Sequence, residues 1–170
     1  MLWQPAYVGI GSNLDDPELQ VRRALSALAT LERTRLVAQS SLYGSRPWGL
    51  AEQPDFVNAA AGLLTQLPVE RLFEQLCDLQ TRLGRAPSVT RWGPRRIDLD
   101  LLVFDHLSLQ TAQLRLPHPG VVTRNFVLYP LCEIAPDLIV PGSASVRDLA
   151  AQADRTGIWR LDGRALEHGA

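Results

Sequence analysis

The sequence predicts an α+β domain in which one mostly antiparallel sheet is backed by helices. Three observations predict it. Short apolar runs of strand length alternate with two amphipathic helical stretches, and the order runs strand, helix, two strands, helix, strand. The segments are joined by turn chemistry, with no internal repeat, linker or low-complexity tract.

Ala6 to Gly11 reads as a first buried strand. Asp15-Asp16-Pro17-Glu18 then offers an N-cap, a proline at the first helical position and an acid for the positive end of the dipole. The helix that follows, about residues 17–31, carries Val21, Ala24, Leu25, Leu28 and Leu31 at helical spacing. Leu36 to Tyr43 is a second strand, and Phe56 to Leu64 a third, after a Pro/Gly/Gln-rich loop. Pro68 opens a second helix with an apolar stripe of Leu72, Phe73, Leu76, Leu79 and Leu83, closed by Gly84. Residues 85–96 show no apolar periodicity, and Ile97 to Phe104 is the clearest strand. Leu107 to Leu109 is expected to pair back as a hairpin. The Pro117-His118-Pro119-Gly120 turn leads into a helical stretch over 123–134 that Pro130 should kink or break. Leu138 to Val140 reads as a last core strand, 146–153 as a short helix, and Ile158-Trp159 as an added strand. The whole of 1–170 reads as a single domain.

Composition narrows the chemistry. With 170 residues and 46% hydrophobic content, the chain can bury a core without staples. Charge is balanced, 17 basic against 18 acidic, so nothing calls for nucleic acid or a membrane surface. Cys77 and Cys132 are an unpatterned pair among apolar neighbours, read as free thiols in a reducing cytoplasm. No export signal and no membrane span is expected. Every basic side chain is arginine; there is no lysine. That excludes a Walker A loop and Schiff-base chemistry, and leaves phosphate to arginine, backbone N–H, histidine or metal.

The chemistry concentrates in Arg91-Trp92-Gly93-Pro94-Arg95-Arg96-Ile97-Asp98-Leu99-Asp100. In a strand, residues two apart share a face, with Cα atoms roughly 6.5–7 Å apart. Asp98 and Asp100 therefore face one way, and Ile97, Leu99 and Leu101 the other, into the core. Aspartate is disfavoured in strands and like charges on one face repel, so the pair implies a counter-charge. Two such carboxylates can converge on magnesium. Upstream lie Arg82, Arg85, Arg91, Arg95 and Arg96, whose forks suit phosphate oxygens. Together these point to an ATP-dependent phosphoryl-transfer enzyme. Other features are individually open. Gly9-Ile10-Gly11-Ser12-Asn13 lacks the third glycine of a dinucleotide fingerprint and reads as a tight strand-to-helix turn. Asn58, among small apolar residues, is a satisfied structural amide or a reader of a ligand's edge. His118, between two prolines, is a turn histidine or a ligand contact. Phe56, Trp92 and Phe126 are aromatic residues beside these polar ones.

Taken in order, the matching stretches are Tyr7 to Leu14, Gln53 to Ala60, Arg91 to Asp100, Leu116 to Pro119, Phe126 to Leu131 and Glu133 to Pro136. With them the chain resembles 6-hydroxymethyl-7,8-dihydropterin pyrophosphokinase, a family of folate biosynthesis, over about residues 6–142; residues 143–170 read as a C-terminal extension of the same domain. The resemblance implies a ferredoxin-like fold. It implies transfer of the β,γ-pyrophosphoryl group of MgATP to the hydroxymethyl oxygen of the dihydropterin, leaving AMP. It implies that Asp98 and Asp100 hold two magnesium ions, and that Arg85 and Arg95 join them in catalysis. Ser45, Trp48, Phe56, Asn58 and Phe126 would form the pterin site, with Asn58 on the amide edge and the two phenylalanines on the ring faces. Arg91, Trp92, Arg95, Leu101, His118 and Arg124 would meet ATP. A monomer is expected, with ATP and the dihydropterin as its partners.

The chain departs from the family's pattern in places. Pro87 stands where a second loop arginine is usual, Cys77 and Gln80 where a Gln and a Glu are, and Arg46 where a small residue or proline is common. The first two changes bear on ATP contacts and loop closure. They leave one alternative reading, a paralogue that binds pterin and nucleotide without efficient turnover.

Overall fold

The computed structural model describes residues 2–49, 52–85 and 93–166. Its sheet is built around two long strands, β1 (Gln4–Ser12) and β4 (Phe56–Thr65), paired antiparallel so that Gly11 faces Asn58 and Ala6 faces Leu63. On the far side of β1 lies β5 (Asp98–Phe104), with Gly11 opposite Asp98 and Gly9 opposite Asp100. The far side of β4 is shared by β2 (Thr34–Gln39) along its second half and β3 (Tyr43–Ser45) along its first. Finally β8 (Ile158–Arg160) pairs with β3, giving the order β5-β1-β4-β3-β8. Every pairing among the described residues is antiparallel, and the architecture is the α+β, ferredoxin-like one.

Two apolar layers cover the two faces. Helices α1 (Pro17–Leu28) and α2 (Val69–Arg82) pack on one face, where Leu28, Leu72 and Leu76 meet Val8, Ala61, Leu63, Leu99 and Leu101. Helices α3 (Asn125–Ile134) and α4 (Val146–Gln152) cover part of the other, with Leu128 and Leu131 against Ala60 and Leu102. The α1 start is as the sequence predicts: Asp16 accepts from the Leu19 N–H at 3.3 Å and Pro17 takes the first turn. Gly84 after α2 has φ 95°, the left-handed conformation that ends a helix most easily with glycine.

Five expectations are corrected. The predicted second strand is two strands, because Ser40 breaks the ladder: its N–H reaches the Ala60 carbonyl, while its hydroxyl accepts from the Ala60 N–H. Helix α1 ends at Leu28, and residues 29–31 form a turn closed by Thr30 onto Ala27. Leu107 does not begin a hairpin with the preceding strand. Its N–H closes a turn on Phe104, and the pairing runs instead between β6 (Leu109–Gln110) and β7 (Arg115–Leu116). Pro130 sits inside α3 without breaking it; one backbone bond is forfeited, but the flanking Leu128, Tyr129, Leu131 and Cys132 are all buried and hold the helix together. Residues 138–140 form a single bridge, Ile139 with Ser145, rather than a core strand. The added strand at Ile158 is β8, and both cysteines are free.

Candidate active site

Strand alternation places Asp98 and Asp100 on the same face of β5, while Ile97, Leu99 and Leu101 are at most 4% exposed on the other. Beside them β1 contributes Gly9 and Gly11, which keep the floor low, and β4 contributes Phe56 and Asn58. Helix α3 brings Phe126 over this floor. The resulting cavity has a volume of about 100 Å³, and among its lining residues are Ser45, Trp48, Phe56, Asn58, Arg95, Asp98, Asp100, Arg124 and Phe126. Nine of the sequence's candidates thus converge, although they come from separate strands, loops and a helix.

The wall of the cavity is aromatic. Trp48 stands edge-on to Phe126, with ring centroids 5.9 Å apart and planes at 81°, and the Arg124 guanidinium lies 4.9 Å over the Trp48 ring. Arg124 owes this position to Gly120: a Cβ there would come within 2.7 Å of the arginine Cδ. Asn58, 4% exposed, donates its amide to the Ser45 hydroxyl at 2.8 Å and to the Tyr43 carbonyl at 3.4 Å. Those donations turn its oxygen the other way, over Gly11. A flat heterocycle with a donor edge fits such a slot.

The acidic end is charge-compensated on one residue only. Asp98 receives Arg85 at 2.8 Å on one oxygen and Arg95 at 3.0 Å on the other. Among the described residues Asp100 has no such partner at hydrogen-bond distance; the His118 Nε2 is 4.0 Å away. Burial first, and the Asp98 charge second, push the Asp100 carboxyl up to about 7, although 39% of its side-chain surface still opens into the cleft. His118 is held below its usual range by burial and by Arg124. Its Nδ1 accepts from the Gly120 N–H at 3.0 Å, which leaves Nε2 as the protonated nitrogen, facing Asp100. Beyond it a wider groove is lined by Gln110, Arg115, His118 and Pro119.

Two hard oxygen donors, one carrying an unfavourable negative charge, suit magnesium, which takes one or two protein carboxylates and fills its shell with substrate oxygens and water. No cluster of three or more metal-ligating side chains occurs among the described residues.

Not every candidate is in place. Arg91, Trp92 and Pro87 lie outside the described residues. Leu101 has its side chain buried in the layer under α1 and α2, as strand alternation predicts, which leaves its backbone as the part that a nucleotide could meet. Two further residues brace the site: Asn13, which the sequence reading did not make a candidate, and Gln80, which it met only as a departure from the family's pattern. Asn13 is 1% exposed and ties three segments: it accepts from the Arg95 N–H at 2.7 Å and donates to Gln53 and Pro54. Gln80 is buried, and one oxygen accepts from both the Leu99 N–H (2.8 Å) and Arg85 (2.6 Å). It thereby holds an arginine and a strand together. The asparagine after a glycine-rich turn is the signal for the first; for the second it is the departure from the family's pattern, since no local periodicity marks it.

An α+β domain with a carboxylate pair, an arginine clamp and an aromatic slot in one cavity defines a phosphoryl-transfer type of site. The family model for 7,8-dihydro-6-hydroxymethylpterin-pyrophosphokinase matches residues 7–136. A Pseudomonas aeruginosa 2-amino-4-hydroxy-6-hydroxymethyldihydropteridine pyrophosphokinase is 44% identical over 94% of this chain and 98% of its own. The enzyme of that name from Haemophilus influenzae is 41% identical over 86% and 91%. The chain belongs to the 7,8-dihydro-6-hydroxymethylpterin-pyrophosphokinase family. Solved structures share the fold at low identity: an HPPK-DHPS in complex with substrates has a TM-score of 0.71 at 12% identity, over 94% of this chain. The Plasmodium falciparum HPPK-DHPS with pteroate gives 0.66 at 12%, over 89%. This chain spans less than half the length of those two, 47% and 42%. No helix among the described residues is long and apolar enough to cross a membrane.

Proposed function

We propose that the protein transfers the β,γ-pyrophosphoryl group of MgATP to the hydroxymethyl oxygen of 6-hydroxymethyl-7,8-dihydropterin, releasing AMP, as a step of folate biosynthesis. One observation carries this reading: the aromatic slot with its buried Asn58 opens into the same cavity as Asp98, Asp100 and Arg95. A ring bound in the slot would present its substituent to the place where phosphate would be held.

Phe56 and Phe126 take the ring faces, Asn58 accepts from its amide edge, and Ser45 and Trp48 complete the wall. Asp98 and Asp100 would hold magnesium, as two ions, which when bound neutralises the phosphate oxygens and aligns the β-phosphorus for attack. The alcohol oxygen bonds to that phosphorus as its bond to the α,β-bridging oxygen breaks; AMP leaves with the electron pair, and the hydroxyl proton goes to solvent. Arg85 and Arg95, now paired to Asp98, are within reach to follow the moving phosphates once that carboxylate is engaged elsewhere. Arg124 and the neutral His118, with Nε2–H turned to the cleft, supply further donors to ATP, and Arg91 and Trp92 complete its site. The working unit is a cytoplasmic monomer of one domain, 1–170. Support comes from the free cysteines and from β8 joining the sheet.

The test is an incubation with ATP, magnesium and the dihydropterin. AMP and the pterin pyrophosphate are the expected products; ADP as the nucleotide product would overturn the reading. Asp100→Asn should lower kcat by about a thousandfold or more, because charge stabilisation at the phosphates dominates the barrier.

A further inference from the structure

The segment beyond the family match, after residue 136, has no assigned part in the site. In the structure it grips the strand that carries Ser45. The Arg46 N–H donates to the Gly157 carbonyl at 2.9 Å, the Leu161 N–H donates to the Leu42 carbonyl at 3.0 Å, and between them β8 pairs with all three residues of β3. Trp159 lies flat on Gly44 from the face opposite the cavity. A Cβ at Gly44 would sit 2.3 Å from the indole, so the close approach needs glycine. On the cavity face Ile158 packs with Tyr43 and Tyr129. Arg160, 8% exposed, donates to the Ser41 hydroxyl at 2.9 Å, and Ser41 and Tyr43 both donate to Glu133 of α3 at 2.7 and 2.6 Å.

The clamped strand holds the slot's polar reader at two points. The Ser45 hydroxyl and, at longer range, the Tyr43 carbonyl accept the Asn58 amide, and these bonds decide which way the Asn58 oxygen points. A three-residue strand has little register stability of its own. We propose that β8, chiefly through Trp159, is a positioning element for the heterocycle slot: it fixes Ser45, and so orients Asn58 toward the ring. This rests on the reading of Phe56, Asn58 and Phe126 as the pterin subsite. The consequence is selective. Three strand spacings separate β3 from β5, roughly 14 Å at about 4.8 Å each, so the carboxylates are out of its reach.

Trp159→Ala in the full chain should raise KM for the dihydropterin about tenfold, and leave KM for ATP and kcat within about twofold. The Kd of the dihydropterin, titrated with magnesium and α,β-methylene-ATP, should weaken by the same factor, and Trp159→Phe should recover most of it. If Trp159→Ala does not fold, Arg160→Gln provides the same split from the other face. An unchanged pterin KM, or a common fall in kcat with both KM values altered alike, overturns the proposal. Asn58→Ala in parallel separates the two claims. If it leaves pterin KM unchanged, the subsite reading fails and the proposal with it; if it raises KM while the Trp159 variant does not, the proposal alone falls.

Discussion

Asp100 carries the largest electrostatic asymmetry of the site. Its partner Asp98 is held by two guanidiniums, while Asp100 sits in the cleft with its proton affinity raised to about 7 from an ordinary 3.8. The folded chain therefore keeps this proton through a window where the unfolded chain has lost it. Without metal, the group's contribution to stability is full below the ordinary carboxylate range and is lost as pH rises through about 7. A divalent cation must displace the same proton, so its affinity grows as pH rises across that window. The expected outcome is a larger magnesium-induced rise in Tm at pH 8 than at pH 6, read by thermal melts with α,β-methylene-ATP present. Asp100→Asn, which cannot titrate, should flatten that dependence; an equal shift at both pH values in the parent protein would contradict it.

Among elements, the junction of α2 and β5 matters most for the arginine clamp. A single Gln80 oxygen satisfies a buried strand N–H and fixes Arg85, which reaches on to Asp98. Gln80→Leu would leave the Leu99 N–H unpaired, at a cost of about 1–3 kcal/mol. It would also release Arg85. Denaturant melts should show that loss, and steady-state assays a fall in kcat. Gln80→Glu keeps the acceptor and should retain both. If Arg85 transmits the effect, Gln80→Leu should have no further effect on kcat in an Arg85→Ala background, a result a purely structural role would not give. The sequence made the ends of these elements legible, through Asp16, Pro17 and Gly84, but not this junction. Gln80 and Leu99 are 19 residues apart, and no periodicity links a helix-end amide to a strand N–H.

For the molecule as a whole, the sheet separates stability from chemistry. The layer under α1 and α2 is fully closed, with Leu28 and Leu72 at 0% exposure, while the opposite face leaves room for the cavity. Leu72→Ala should therefore cost about 2–5 kcal/mol. Calorimetry should show it as a fall in Tm of roughly 2–4 °C per kcal/mol, with both KM values unchanged at a temperature well below the transition. A changed pterin KM would mean that the two faces are coupled. The sequence by itself determined the alternating carboxylates of β5, the two amphipathic helices and a phosphate chemistry without lysine. Each of these is written in local spacing or residue type, whereas the aromatic and amide residues of the slot were legible only through the family resemblance. Tertiary structure alone decided how Ser40 divides a strand, how α3 runs through Pro130, and how Asn13, Gln80 and Trp159 brace the site. These depend on bonds and contacts between segments 19 to 115 residues apart, or on burial that offsets a local penalty, and no local pattern encodes either.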